Sequence, residues 1–479
     1  MTKQKKTTLH WIPAFLFVLL VALLSIHDNG LWGDEACRVW HPQFTFSEYF
    51  SRAVGFGQIG YLMYTAIWSS LFGLSEVALR CSNIPFALLA AYYVLKIVKK
   101  TDMPNWSFAL FFIHPMFTYY MNEVTPYIVV YAFSLAFIYY IFFFEDTFND
   151  MKHLVRINSV FLAGVFFHFM FGFIYVLYLY KCIVLLKHRQ LALKTHIKCM
   201  LLFMIAYIPL LAVICYGLFT NSLIRGEYTI KNVAFILYGF GGFMGLALSR
   251  NDLRAGNFSM LTGAQLGCAV ALAALYGLII VLARKSLWAA LKPYAGLFIS
   301  ALACFIFLNG VSALIQFRVW ERHSMFLFPV WIMLVCLSIN ALSDGGIKKA
   351  LLAGLLCLML FSCFNLRSNY YYCYDDFKGV QASVHKYADE VPIDTIYTSI
   401  VDNYGFYSLE EAVAHTAAKI EYITGSLRDI KQTITDNPEG KYLLILEERA
   451  LDRDSYQYFD QIASRIDTSC NSYKILLFE

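Results

Sequence analysis

The sequence predicts an α-helical polytopic membrane protein of about eleven spans plus interfacial helices, followed by a soluble α/β domain on the external face. Three observations carry that expectation. Hydrophobic residues make up 59% of the 479 residues and charged ones only 15%, which excludes a soluble enzyme. Several apolar runs approach the roughly 20 residues that a bilayer-crossing helix needs. Charge then divides the chain, with a net +13 over residues 1–364 and a net −8 over residues 365–479. The basic part, 1–364, is read as the membrane module and the acidic part, 365–479, as an extracytoplasmic domain. No basic block resembles a nucleic-acid footprint, so no nucleic-acid partner is expected.

Lys3, Lys5 and Lys6 precede a nearly unbroken apolar run over residues 11–24. Positive flanks stay in the cytoplasm, so residues 28–57 emerge on the other side. No small-x-small cleavage pattern precedes Asp34, and more spans follow, so the run is a retained span rather than a signal peptide. Spans are placed at 10–27, 77–98, 106–122, 124–144, 157–169, 171–186, 198–219, 263–283, 293–312, 323–342 and 347–364. Under this count the clusters Lys96–Lys100, Lys187–Lys198, Arg284-Lys285 and Lys348-Lys349 are all cytoplasmic. The acidic tail is external.

The parity requires that residues 58–74 do not cross. They and residues 230–248, loosened by Gly239, Gly241, Gly242 and Gly245, are read as interfacial helices, with true crossing as the alternative. Pro115 and Pro126 bracket a break at Met121-Asn122-Glu123, since proline removes a donor and pushes its predecessor out of helical geometry. The short spans 157–169 and 171–186 meet near His168 as a hairpin tip.

The tail alternates helix and strand. Helices are expected at 376–390, 407–419 and 455–466, and strands at 394–400, 442–446 and 473–478, the pattern of a small α/β layer. Most cysteines lie in apolar runs and read as small buried hydrophobes. Cys373 and Cys470 could pair in an oxidising compartment. No Cys/His zinc spacing appears.

Chemistry is expected where carboxylates press against span ends on the external side: Asp34, Glu35 and Glu123. Ionisable groups at membrane depth are costly and so have partners or a function. A partly buried carboxylate also gains the basicity a general base needs. The plain alternative is that Asp34 and Glu35 cap a juxtamembrane helix. Arg318 and Arg322, in the external segment Gln316-Phe317-Arg318-Val319-Trp320-Glu321-Arg322-His323, could clamp a phosphate or anchor the chain at the interface. Arg38 and Arg80 are weaker candidates of the same kind. His168, among phenylalanines, is either functional or a satisfied residue of the hairpin.

Leu31-Trp32-Gly33-Asp34-Glu35-Ala36 after a first span resembles the first external loop of GT-C glycosyltransferases, above all the bacterial relatives of protein O-mannosyltransferases and of the lipid A aminoarabinose transferase. Four later stretches are similar to family motifs in the same order. They are Leu71-Phe72-Gly73-Leu74-Ser75-Glu76 through Arg80-Cys81-Ser82, then Asn122-Glu123-Val124-Thr125-Pro126-Tyr127, His168-Phe169, and Glu321-Arg322-His323 through Pro329. Departures are Gln58-Ile59-Gly60 where His-Pro-Pro is usual, Thr125 for Arg, and His323 for Tyr.

The resemblance implies a polyprenyl-phosphate-linked sugar as donor, transferred with inversion to an external lipid, polysaccharide or protein acceptor. Asp34 would deprotonate the acceptor hydroxyl, with Glu35 beside it. Glu123 would orient the acceptor or hold a divalent cation; no cofactor is otherwise expected. Arg322, with Arg318 or Arg80, would stabilise the departing lipid phosphate, and Arg38, Tyr127, His168 and His323 complete the set expected to meet substrate. The implied location is a bacterial inner membrane with the site on the periplasmic side. Two other readings stay open: a flippase or transporter of lipid-linked saccharides, which would want charged residues along a path through the spans, and a non-catalytic partner in polysaccharide assembly.

Overall fold

A computed structural model describes the chain apart from residues 1–9, 29, 32, 40–44, 145–147, 221–227, 250–251, 254–257, 344, 369–376, 399–406, 408, 423–426, 438, 448–458, 460, 469–472 and 479. Cys373 and Cys470 lie outside the described residues; the described cysteines are free thiols. The chain forms two compact units. One comprises residues 1–27 and 46–367, the other residues 28–45 and 368–479.

The first unit is helical. Among the described residues six helical stretches are long and apolar enough to cross a membrane: Glu76–Lys100, Phe169–Lys187, Leu193–Gly217, Gly263–Leu314, Glu321–Asn340 and Gly345–Asn365. Trp11–Ser25, Ile59–Phe72, Tyr127–Phe143 and Ile230–Phe240 are apolar but shorter. The stretch Gly263–Leu314 holds 52 residues. At the rise of an α-helix it would run about 78 Å, against a hydrocarbon core of about 30 Å. The 3₁₀ turn Lys292–Tyr294, with its proline, divides it into two passes.

Burial sorts these helices into centre and periphery. Tyr127–Ile138 is buried on nearly every side and packs between Ile84–Lys100 and Met151–Phe167. Trp11–Ser25 buries Ala14, Val18 and Ala22, a small-residue stripe at fourfold spacing. It lies against Ile84–Lys100, with the Trp11 ring stacked on that of Tyr92 at 5.2 Å between centres. Leu193–Thr220 instead exposes Leu201, Leu202, Ile205, Ile208 and Leu211, as a lipid-facing helix does.

Residues 106–122 form two short buried helices, Ser107–Leu110 and Pro115–Met121, rather than one rod. His114 is extended, with ψ 136, and Pro115 starts the next helix at N1. The break that proline imposes on its predecessor thus falls at His114, in addition to the expected one after Met121.

The second unit is an α/β sandwich. Among the described residues five strands, β1 Thr395–Thr398, β2 Lys419–Tyr422, β3 Tyr442–Glu447, β4 Arg465–Asp467 and β5 Tyr473–Phe478, form one sheet in the order β2-β1-β3-β5-β4. β1 is parallel to β2 and β3, while β5 is antiparallel to β3 and β4. Strand alternation feeds two cores. Ile396, Leu443, Ile445, Ile475 and Leu477 meet Val380 and Val384 of helix Phe377–Glu390 and Leu409 and Ala412 of the turn of helix Leu409–Ala412. Tyr397, Leu444, Leu446, Leu476 and Phe478 meet Ile430 and Ile434 of helix Leu427–Asp436, and Phe459.

The expected helix over 407–419 shrinks to Leu409–Ala412, and its far end becomes β2. Thr416 stops it: its hydroxyl bonds the Val413 carbonyl and accepts from the Ala418 amide, a local turn that competes with helix. Of the expected helix over 455–466, residues 455–458 and 460 lie outside the described residues, and its end gives way to β4. Helix Leu427–Asp436 was not anticipated.

Candidate functional site

In the membrane unit the polar residues gather where helices break. Helix Met151–Phe167 ends at His168, whose backbone is extended, and a 3₁₀ turn Phe169–Ile174 follows. Gly57 makes this corner tight. It has a φ of +60, its carbonyl accepts from the Phe169 amide at 3.1 Å, and a Cβ there would lie 2.9 Å from the Phe169 ring. A third break, between Ala295–Leu314 and Phe328–Asn340, carries the 3₁₀ turn Glu321–Leu327.

Tyr127, at the start of the central helix and fully buried, is the hub. The Arg322 guanidinium lies 5.9 Å from its ring centre. The His168 ring is 5.5 Å away, the His323 ring 6.4 Å and the Tyr120 ring 5.0 Å. Nδ1 of His168 accepts from the Met170 amide at 3.1 Å, and Nδ1 of His323 from the Trp320 amide at 3.1 Å. In the neutral tautomer each imidazole therefore carries its proton on Nε2 and can donate from it. Phe169 and Phe317 extend the aromatic wall between the two histidines.

Buried charge surrounds the hub. Glu123 and Arg80 are completely buried and Glu321 nearly so. The Tyr120 hydroxyl donates to Glu321 Oε1 at 3.1 Å, and the Thr125 hydroxyl to Glu123 Oε2 at 3.4 Å. Arg80 Nη1 donates to the His27 carbonyl at 2.7 Å, and the His27 amide donates to Asn122 Oδ1 at 2.7 Å. Asn83 faces the carbonyls of Tyr120, Met121 and Glu123, the last at 2.7 Å, so one amide serves the end of helix Pro115–Met121, where carbonyls lose their helical partners. Charged groups taken out of water need such partners to be tolerated.

Of the residues expected from sequence, Tyr127, His168, Arg322 and His323 thus lie together, with Glu123 and Arg80 in the adjoining network. Arg318 does not join them: it is exposed, with its guanidinium 5.7 Å over the Trp320 ring. Glu321, Tyr120, Asn83 and His27 are site members that the sequence did not single out.

Asp34, Glu35 and Arg38 belong to the other unit. They sit in a helical turn, Gly33–Ala36. Glu35 and Arg38 are buried, whereas the Asp34 side chain is 32% exposed. Arg38 Nη1 donates to the Asp34 carbonyl and lies 3.9 Å from its carboxylate. The turn is seated on the C-terminal part of the same unit. The Leu31 amide donates to the Tyr407 hydroxyl at 2.8 Å, Lys378 Nζ donates to the Asp28 carbonyl at 3.2 Å, and a Cβ on Gly30 would come 2.8 Å from that of Lys378.

No protein-family model matches the chain, and no curated protein matches it. Two solved structures of ArnT from Cupriavidus metallidurans, one bound to undecaprenyl phosphate and one in the apo state, are similar to it at 12% identity and a TM-score of 0.48, over 98% of this chain and 98% of theirs. A likeness of that size assigns neither a reaction nor a residue role to this chain.

Proposed function

We propose that this protein is an integral-membrane glycosyltransferase that moves a sugar from a polyprenyl-phosphate donor to an acceptor outside the cytoplasm, with inversion at the anomeric carbon. The observation that carries this reading is the Arg322, His168 and His323 group around Tyr127. A guanidinium and two Nε2–H donors, walled by aromatic rings and set among apolar helices, suit a lipid-borne phosphate better than a water-soluble one. The order of sequence motifs supports the same reading.

In this mechanism the acceptor oxygen attacks the anomeric carbon as Asp34 takes its proton. The bond from that carbon to the phosphate oxygen breaks, and the electron pair leaves with the lipid phosphate. Arg322 and the imidazoles stabilise the negative charge that develops there, and fixed donors in a water-poor site are well suited to that task. Asp34 is the base because its carboxylate is accessible while Glu35 is buried. Buried Glu35 and Arg38 hold the turn, Glu123 orients the acceptor or holds a divalent cation, and Arg80 positions the loop around Asn122. The membrane is bacterial and the site periplasmic in this reading.

Transfer of labelled sugar from a panel of polyprenyl-phosphate sugars, in detergent, tests the proposal. The wild type should consume at least one donor, and Asp34→Asn should lower the rate by about 10²–10⁴-fold while expressing as well as the wild type. Full activity in Asp34→Asn would remove the base assignment. Movement of donor across a vesicle bilayer without consumption would replace the enzyme by a transporter.

A further inference from the structure

In the second unit two histidines and an aspartate that have no role assigned above converge. His385 and Asp389 are four residues apart on helix Phe377–Glu390, so both project from one side of it. His415 comes from the connection between helix Leu409–Ala412 and β2. His385 Nδ1 lies 3.1 Å from one Asp389 oxygen and His415 Nε2 lies 2.8 Å from the other. The two imidazoles stack with ring centres 5.0 Å apart. One ligating atom from each residue falls within 4.8 Å of the other two.

We infer that His385, Asp389 and His415 form a binding site for a divalent transition-metal ion such as Zn²⁺ or Co²⁺. Two imidazoles and a carboxylate are a donor set that first-row ions of this kind favour, whereas Mg²⁺ and Ca²⁺ favour oxygen donors. Three protein ligands leave a coordination position open to water or to an anionic group, as in open zinc sites.

The fold holds the three residues in place. Val380, Val384, Tyr387 and Ala388 bury the opposite side of the helix in the same core as Leu409, Ala412 and Val413. His415 is therefore two residues from a core anchor that it shares with the helix. On its other side Thr416 closes a turn onto Val413, and β2 begins at Lys419 in register with Thr395 of β1. A metal would thus meet ligands already gathered, at little cost in ordering the chain. A surface ion-pair cluster without metal affinity is the competing explanation, and such pairs contribute little to stability.

The test uses the full chain in detergent, with any affinity tag removed and metal stripped by a chelator. Co²⁺ is titrated while visible absorption is followed. One Co²⁺ per chain should bind in a manner that depends on these three residues, be displaced by Zn²⁺, and persist in excess Mg²⁺. His385→Ala, Asp389→Asn and His415→Ala should each weaken binding by at least about tenfold, while His188→Ala, an exposed histidine elsewhere, leaves it unchanged. Zn²⁺ should also raise the thermal midpoint of the wild type by mass action, and not that of the three variants. Absence of saturable Co²⁺ binding in the wild type, or equal binding in the three variants, would overturn the proposal. All three side chains are at least 43% exposed, and a thermal melt without metal confirms that the variants fold.

Discussion

Replacing Arg322 by Lys keeps the charge but removes the planar fork that meets two phosphate oxygens at once and stacks on an aromatic ring. With its guanidinium 5.9 Å from the Tyr127 ring centre, Arg322→Lys should lower kcat in the transfer assay. Arg322→Ala should lower it further, by about 10²–10³-fold, the scale for losing one donor to a developing anion. Equal rates in wild type and Arg322→Ala would take the phosphate role away from this residue. The candidate residues, though not their roles, were partly legible in the sequence. Asp34, Arg322 and His168 stand out as polar groups at the ends of apolar runs. Glu321 does not, because an external glutamate ordinarily reads as solvated; only the structure shows its carboxylate buried against Tyr120.

Elements are where sequence reading and structure part in instructive ways. The helices that bury one or more whole faces were visible as long apolar runs, and β3 and β5 as short ones. Leu443, with no exposed surface at the centre of the sheet, makes this quantitative: Leu443→Ala should destabilise the soluble unit by about 2–5 kcal/mol, read as a lowered midpoint in denaturant. What failed was local arbitration. Thr416 diverts a plausible helix into a turn, and Pro115 opens a helix where a longer one was drawn. The hairpin corner at His168 was legible as a short pair of spans, but its dependence on Gly57 was not, since the partner, Phe169, lies far along the chain. Gly57→Ala forces a side chain into a left-handed backbone and against that ring, and should cost about 1–3 kcal/mol. Detergent-solubilised protein would then melt earlier and transfer more slowly; an unchanged melt would show that the corner can shift freely.

At the scale of the whole molecule, the unit that holds Asp34 is assembled from two pieces of chain, residues 28–45 and 368–479. Composition marks the second piece as a domain but gives no sign that the first belongs to it. Deleting residues 368–479 should therefore abolish transfer although every candidate in the membrane unit is retained, and sugar transfer by the truncated, membrane-inserted chain would contradict this. The arrangement also sets an order in time. Leu31 and Tyr407, joined by a buried hydrogen bond, are 376 residues apart. At about 5–20 residues per second of synthesis, the loop that carries Asp34 leaves the ribosome about 20–75 s before its partner Tyr407 is made. Under the proposed function, a chain whose synthesis stops early carries Asp34 on a loop that lacks its seat and should be inert.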